Sequence, residues 1–238
     1  MGPAATADLY EKIIFATPAS KDQEHIPVVM WADPRIPDRL EALAGKGPSP
    51  VPHMVEGLEQ LEAAGASFVV MPCNTAHLFL PELRQQVSIP IIEMMDETSK
   101  ALASRSPAVR RAGLLGTTAT VKGRLYHAAF ERNGIETVVP DAKLQDELMT
   151  AIRQIKAGNV SAEVADIVRR AADNVREAGA DVAVLACTEL PLVLRDGQAS
   201  LPLIDATQVL AQAAVALATQ GTHASEPVAS AGKFPRDQ

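Results

Sequence analysis

Only two cysteines occur in the chain of 238 residues, Cys73 and Cys187, and both end a copy of the same internal repeat. Ala64-Gly65-Ala66-Ser67-Phe68-Val69-Val70-Met71-Pro72-Cys73 aligns with Ala178-Gly179-Ala180-Asp181-Val182-Ala183-Val184-Leu185-Ala186-Cys187. The first three residues are identical and strand-forming aliphatic positions follow. Small polar residues come after each thiol, Asn74-Thr75 in one copy and Thr188-Glu189 in the other. Further on, Ile89-Pro90-Ile91-Ile92 corresponds to Leu201-Pro202-Leu203-Ile204. In a parallel α/β sheet, ligands bind beyond the carboxyl ends of the strands, which is where both cysteines fall. A helix beginning there would lower a thiol's pKa through its free N–H groups and dipole. Two thiols facing each other across a cleft can move a proton between opposite faces of one carbon. One accepts as thiolate, the other donates as thiol, and the pair titrates as a unit.

Blander roles compete. A structural disulfide is disfavoured in a reducing compartment. Zinc lacks a CxxC partner at either cysteine, and His77 would supply one extra ligand at best. The thiols could be inert and buried at strand ends. Cys73 could also be a lone nucleophile with His77, four residues on and on the same helical face, as its base.

The elements that must carry these residues follow from hydrophobic patterning. Aromatic residues make up 3% of a chain that is 47% hydrophobic, so the core is aliphatic, as on buried parallel strands. Short aliphatic runs alternate with amphipathic stretches, the pattern of a parallel α/β fold. Val28-Val29-Met30-Trp31, Ser67 to Met71 and Pro90-Ile91-Ile92 read as buried strands of a first half. Ala112 to Leu115, Ile135 to Val139 and Asp181 to Ala186 read as strands of a second. Val51, Val55, Leu58 and Leu61 share a helical face that ends at Gly65, and Leu144, Leu148, Ile152 and Ile155 share another that stops at Gly158. Ser161 is placed to cap a third helix with Val164, Ile167, Val168, Ala171 and Val175 inward. The repeat suggests two similar lobes. Their expected limits are residues 1–95 with 205–220 for the first and 96–204 for the second, leaving 221–238 as an unstructured tail.

Charge and hydropathy exclude several classes of function. A net charge of −7 argues against nucleic-acid binding, which needs a basic stripe. The longest apolar run, Val209 to Ala218, is interrupted by Gln212 and is short of the roughly 18 residues of a membrane span. With no secretory leader at its start, the chain is expected to be soluble and cytoplasmic. Met1 to Thr6 fits the N-myristoylation pattern formally, but no basic cluster supplies a second membrane signal.

Met71-Pro72-Cys73-Asn74-Thr75-Ala76-His77 together with Ala186-Cys187-Thr188-Glu189 resembles the aspartate/glutamate racemase family, most of all its aspartate racemase branch. Supporting stretches run in order from Met1 to about Ala218: Met1 to Thr6, Asp22 to His25, Ile36 to Arg39, Gly113 to Thr118 and Lys156 to Asn159. The resemblance implies a cofactor-independent, two-base racemase, usually a homodimer. It also implies two pseudo-symmetric α/β lobes, each a parallel sheet flanked by helices, with the active site in the cleft between them. Cys73 and Cys187 become the acid/base thiols. Asn74, Thr75 and Thr188 match positions that hold the substrate's α-carboxylate and ammonium. Arg39 and Lys156 match charges that meet its side-chain carboxylate, the first able to grip it bidentately. Thr117 and Thr118 line the cleft after a strand, and Met1 and Glu189 complete the substrate-binding set, with Glu189 and His77 also placed to tune the thiols. The expected partner is therefore a small acidic amino acid, aspartate foremost and glutamate next. Rival readings are a cysteine-dependent isomerase or decarboxylase of a small dicarboxylate, and a non-catalytic binder of acidic metabolites. By the same resemblance, a β-strand and a glycine turn are expected ahead of Met1, so that the native chain would begin some ten residues upstream; the competing reading is a genuine short form in which another segment covers the gap.

Overall fold

The structure, a computed structural model, describes residues 2–222. Helices α1 (Pro3–Ala16), α2 (Arg39–Leu43), α3 (Val51–Ala63) and α4 (Leu80–Leu83) belong to the first part of the chain, and α5 (Met94–Ala103) leads to the second. There, β1 (Arg111–Gly116) is followed by α6 (Thr118–Lys122), α7 (His127–Arg132), β2 (Glu136–Val138), α8 (Ala142–Lys156) and α9 (Ala162–Glu177). The chain then forms β3 (Val182–Ala186), β4 (Leu203–Asp205) and α10 (Ala206–Thr222). No helix among the described residues is long and apolar enough to cross a membrane.

The four strands form one parallel sheet in the order β2-β1-β3-β4. Side chains alternate across a strand, and here each face meets its own core. Leu115 of β1 and Ala183 and Leu185 of β3 pack with Leu148, Ile152, Val168 and Val175 of α8 and α9. Ala112 and Leu114, with Val182, Val184 and Ala186, pack on the other side with Met94, Leu102, Phe130 and Leu210. Because helices cover both faces, the strands carry aliphatic residues at every position rather than at alternate ones.

Local chemistry sets the helix limits. Asp141 opens α8 by accepting a hydrogen bond from the Leu144 N–H at 2.9 Å. Gly65 and Gly158 close α3 and α8 at φ +90° and +89°, a conformation that favours glycine. Ser161 stands at the N-cap of α9 without capping it, and its N–H instead donates to Asn159 Oδ1 at 3.1 Å.

The first lobe departs from the expected strands. Residues 67–71 and 90–92 reduce to a single parallel bridge between Val69 and Ile91. Val69 N–H donates to Pro90 O at 2.8 Å and Ile92 N–H to Val69 O at 2.9 Å. Residues 28–31, expected to be buried, join no strand among the described residues and expose their side chains, Val29 by 51%. Sheet pairing requires backbones about 4.8 Å apart. An apolar cavity of about 110 Å³, lined by Val28 to Ala32 and Val69 to Pro72 with Leu9, Met54 and Leu58, separates the two segments. The two-lobed α/β class holds, but the parallel sheet is developed in the second lobe alone. Helix α10 runs two residues into the segment expected to be unstructured; the rest of that segment and Met1 lie outside the described residues.

The tight seam between β1 and α9 yields a test. A Cβ on Gly113 would stand 2.4 Å from Val175 Cγ2 and 2.8 Å from its Cβ, inside a covered core. Gly113→Ala is expected to destabilise the protein by about 1–3 kcal/mol through overpacking, read as a lower denaturant midpoint. An unchanged midpoint would show that α9 can move away freely.

Candidate active site

β1 pairs with β2 on one side and with β3 on the other, so the order in which strands are added to the parallel sheet reverses between β1 and β3. The crevice of such a sheet opens at the carboxyl ends of those two strands. Their last residues, Gly116 and Ala186, are register partners, which makes Thr117 and Cys187 leave the sheet as neighbours. A side chain at 116 would have its Cβ 2.8 Å from Ala186 O, so the strands come this close only with glycine there. From the first lobe, the segment after the Val69 bridge brings Cys73, held by a Cys73 N–H to Met71 O bond at 2.8 Å.

Both cysteines are free thiols, Cys187 buried and Cys73 half-buried. Short 3₁₀ turns follow them, Thr75–Phe79 and Leu190–Leu192, in place of the expected α-helices. Pro191 lies inside the second turn, where it lacks an N–H for a longer helix, and the first turn leads directly into the one-turn α4, with Pro81 in it. The dipole that was to favour a thiolate is therefore small. At Cys187 the direction is reversed: burial pushes its pKa well up, and the Glu189 carboxylate adds to the rise while the Lys156 charge opposes it. Cys187 Sγ donates to Glu189 Oε2 at 3.0 Å. Glu189 is thus buried against the thiol, not solvated at the surface.

Polar side chains from the two lobes interlock around the thiols. Tyr126 O–H donates to Asn74 Oδ1 at 2.5 Å. Thr75 Oγ1 lies 3.2 Å from Thr117 Oγ1, which is 3.0 Å from Thr120 Oγ1. Thr188 Oγ1 donates to Pro72 O at 3.3 Å. Asn74, Thr75, Thr117 and Thr188 are all buried. Thr118, half-buried, gives its N–H to Met149 Sδ at 3.1 Å. Met1 is outside the described residues, but its neighbour Gly2 lies against Glu189, whose Oε1 would be 3.0 Å from a Cβ there.

Arg39 is only 8% exposed, and no carboxylate forms an ion pair with it among the described residues. Its guanidinium donates to Pro37 O at 3.0 Å and Ile36 O at 3.2 Å. Leu40 beside it packs on the core of the second lobe, which draws α2 to the interlobe seam. Lys156, exposed at the end of α8, exerts its charge on both Cys187 and Asp38, the neighbour of Arg39. One cation from each lobe therefore flanks the thiol region.

His77 does not serve as a base here. Its Nδ1 meets Cys73 O at 2.9 Å and its Nε2 accepts from Met94 N–H at 3.4 Å, so both ring nitrogens are engaged. Burial lowers its pKa and keeps the ring neutral. It ties the Cys73 turn to the start of α5. Tyr126 and Thr120 were not singled out from the sequence. Tyr126, one of only two tyrosines and four residues before Phe130, offered a signal, since a buried tyrosine hydroxyl demands a partner.

A doubly covered parallel sheet carries one thiol just beyond its switch strand, and hydrogen bonds from Thr188 and Thr117 tie that end of the sheet to the Pro72–Thr75 segment that bears the second, an arrangement of the two-lobed α/β class. Residues 1–214 match the family described as Asp/Glu/Hydantoin racemase, and the chain belongs to that family. By class it is an amino-acid racemase. It is similar to the broad specificity amino-acid racemase RacX of Bacillus subtilis (strain 168), with 28% identity over 227 residues, 90% of this chain and 93% of that one. Among solved structures it is similar to the aspartate racemase of Picrophilus torridus, with 32% identity and a TM-score of 0.81 over 92% of this chain and 90% of that one. An aspartate racemase homologue from Pyrococcus horikoshii OT3 superposes with a TM-score of 0.72 at 25% identity, over 91% of this chain and 95% of that one.

The neutral, buried His77 sets a pH dependence. Its folded-state pKa lies below the ordinary 6.5, so the stability it contributes is present above that value and is lost as pH falls below it. His77→Gln should cost about 1 kcal/mol at pH 7.5 from the lost hydrogen bond, and should flatten the decline of stability below pH 6.5. Equal slopes for the two proteins in urea titrations across pH 7.5 to 5 would contradict the assignment.

Proposed function

We propose that the protein racemises an acidic amino acid, aspartate foremost and glutamate next, by a cofactor-independent two-thiol mechanism. The observation that carries this reading is the placement of the only two cysteines at matching positions of an internal repeat, on segments that polar side chains link to each other. Cys187, kept as a thiol by burial and by Glu189, is the acid of the resting enzyme. Cys73 as thiolate then takes the Cα proton from one face, and the electron pair of the broken C–H bond passes into the α-carboxylate. Cys187 Sγ–H delivers its proton to the opposite face, which inverts the centre and leaves Cys73 as thiol and Cys187 as thiolate. The reverse reaction, or proton exchange with solvent, resets the pair.

The weak acidity of an amino-acid Cα–H places the burden on preorganised donors in a desolvated site. Asn74, Thr75 and Thr188 supply them, and the Nδ2 of Asn74 is buried without a protein partner. Arg39 and Lys156 select the side-chain carboxylate. An aspartate racemase among the structural neighbours supports the preferred substrate, and the name of the Bacillus subtilis relative argues for including neutral amino acids in the assay. We further propose a cytoplasmic protein, a homodimer on the family resemblance, whose lobes comprise residues 1–95 with 205–220 and residues 96–204.

Solvent deuterium should enter Cα of aspartate during turnover, which a binding protein would not cause and a decarboxylase would do only with loss of carbon dioxide. Cys73→Ala and Cys187→Ala should each abolish racemisation in both directions. Retention of more than about a tenth of wild-type turnover, a loss of only ~1.4 kcal/mol, by either variant would refute the two-base reading.

Charge selection is tested separately. Arg39→Leu should raise KM for aspartate by about two orders of magnitude, since a carboxylate stranded without its partner costs several kcal/mol. It should create little activity on alanine. An unchanged KM would place Arg39 outside the substrate's reach.

A further inference from the structure

The hydroxyl of Tyr126 is the one polar group of a side chain that is otherwise core. The residue is 0% exposed, and its ring packs with Phe130 at 5.3 Å between centroids. A phenol has a single proton, and this one is donated across the lobe boundary to Asn74 Oδ1. Thr98 lies beside the phenol and gives its own proton to Met94 O at 2.7 Å. Asn74, next to Cys73 and 3% exposed, therefore has its carbonyl arm occupied by protein while its Nδ2 has no partner. Burying an amide donor unpaired is costly, so a site that does so is built for an acceptor that arrives later. In the arrangement the structure shows, the phenol's proton goes to Oδ1, and Nδ2 is the arm left without a protein partner. A planar carboxamide sends its two arms in different directions, so with Oδ1 held on Tyr126, Nδ2 is turned away from the phenol.

We infer that Tyr126 is a positioning residue that locks the Asn74 carboxamide with Nδ2 as the outward arm, and so makes Asn74 a donor for a carboxylate of the substrate. The inference rests on the racemase reading above and adds to it a residue of the second lobe that never touches substrate. It also assigns a sense to the selection: an outward Nδ2 donates to an anionic oxygen and repels an ammonium, which an outward Oδ1 would bind. The substrate's two α-groups are thereby told apart before any proton moves.

The experiment is a double-mutant cycle on the full chain, with aspartate as the probe and racemisation followed in both directions. Tyr126→Phe, which deletes one oxygen and keeps the ring, should raise KM about tenfold while kcat changes less than about threefold. In an Asn74→Ala background, which has a raised KM of its own, the same change should have no further effect on KM, because there is no carboxamide left to orient. Asn74→Asp offers a second variant that keeps an acceptor for Tyr126 but replaces the donor arm. It should raise KM at least as much as Tyr126→Phe with an unchanged melting temperature. An unchanged KM in Tyr126→Phe, or additive effects of Tyr126→Phe and Asn74→Ala, overturns the inference while leaving the racemase reading standing. A wild-type enzyme that exchanges no Cα proton of aspartate or glutamate overturns both.

Discussion

The pairing of β1 with β3 is the constraint on which the site depends. Five register partners, from Ala112↔Val182 to Gly116↔Ala186, fix two strands whose last residues release Thr117 and Cys187 side by side. Any slip by one residue would turn Cys187 to the opposite face of the sheet, because side chains alternate. Its present face is the one packed by α8 and α9, which is why the thiol is buried among aliphatic residues. Glu189 reaches it from the turn beyond the strand. The high pKa of Cys187 is thus a consequence of sheet register carried into chemistry.

From that fixed half, the second lobe reaches across to the first. Tyr126, Thr117 and Thr188 each end on a group of the Pro72 to Thr75 segment. His77 adds a tether from the same segment to the start of α5, so that the half-buried Cys73 is positioned mainly by contacts made outside its own bridge. The first-lobe thiol is held by side-chain polarity and the second-lobe thiol by backbone ladder. The net charge around them is also divided: Glu189 sits on the Cys187 side, whereas Arg39 approaches with α2 and Lys156 with α8.

Much of this was legible in the residues. The repeat with its two terminal cysteines located both thiols, and Gly65 and Gly158 marked helix ends that the structure reproduces. These signals are local, and local chemistry decides them. Residues 28–31 have the composition of a strand, yet strand formation belongs to a pair of backbones, and a cavity stands where the second would be. The short turns after the cysteines escaped because apolar periodicity does not distinguish one 3₁₀ turn from the start of an α-helix. Tyr126 escaped for another reason: its partner lies 52 residues away, and no periodicity reports that distance.

The contrast between a ladder-bound lobe and a bridge-bound one carries over into amide exchange. Backbone N–H groups of β1 and β3 lie under two helical layers and open only when the sheet is lost. Those of residues 28–32 lack ladder partners, and the Val69–Ile91 bridge is a single crossing next to a cavity. Local opening there breaks few hydrogen bonds and exposes side chains that are already partly wet, so it costs far less than global unfolding. Cys73 therefore belongs to a cooperative unit of lower opening energy than Cys187. Amide exchange is therefore expected to be fastest around the first-lobe segment and slowest along β1 and β3.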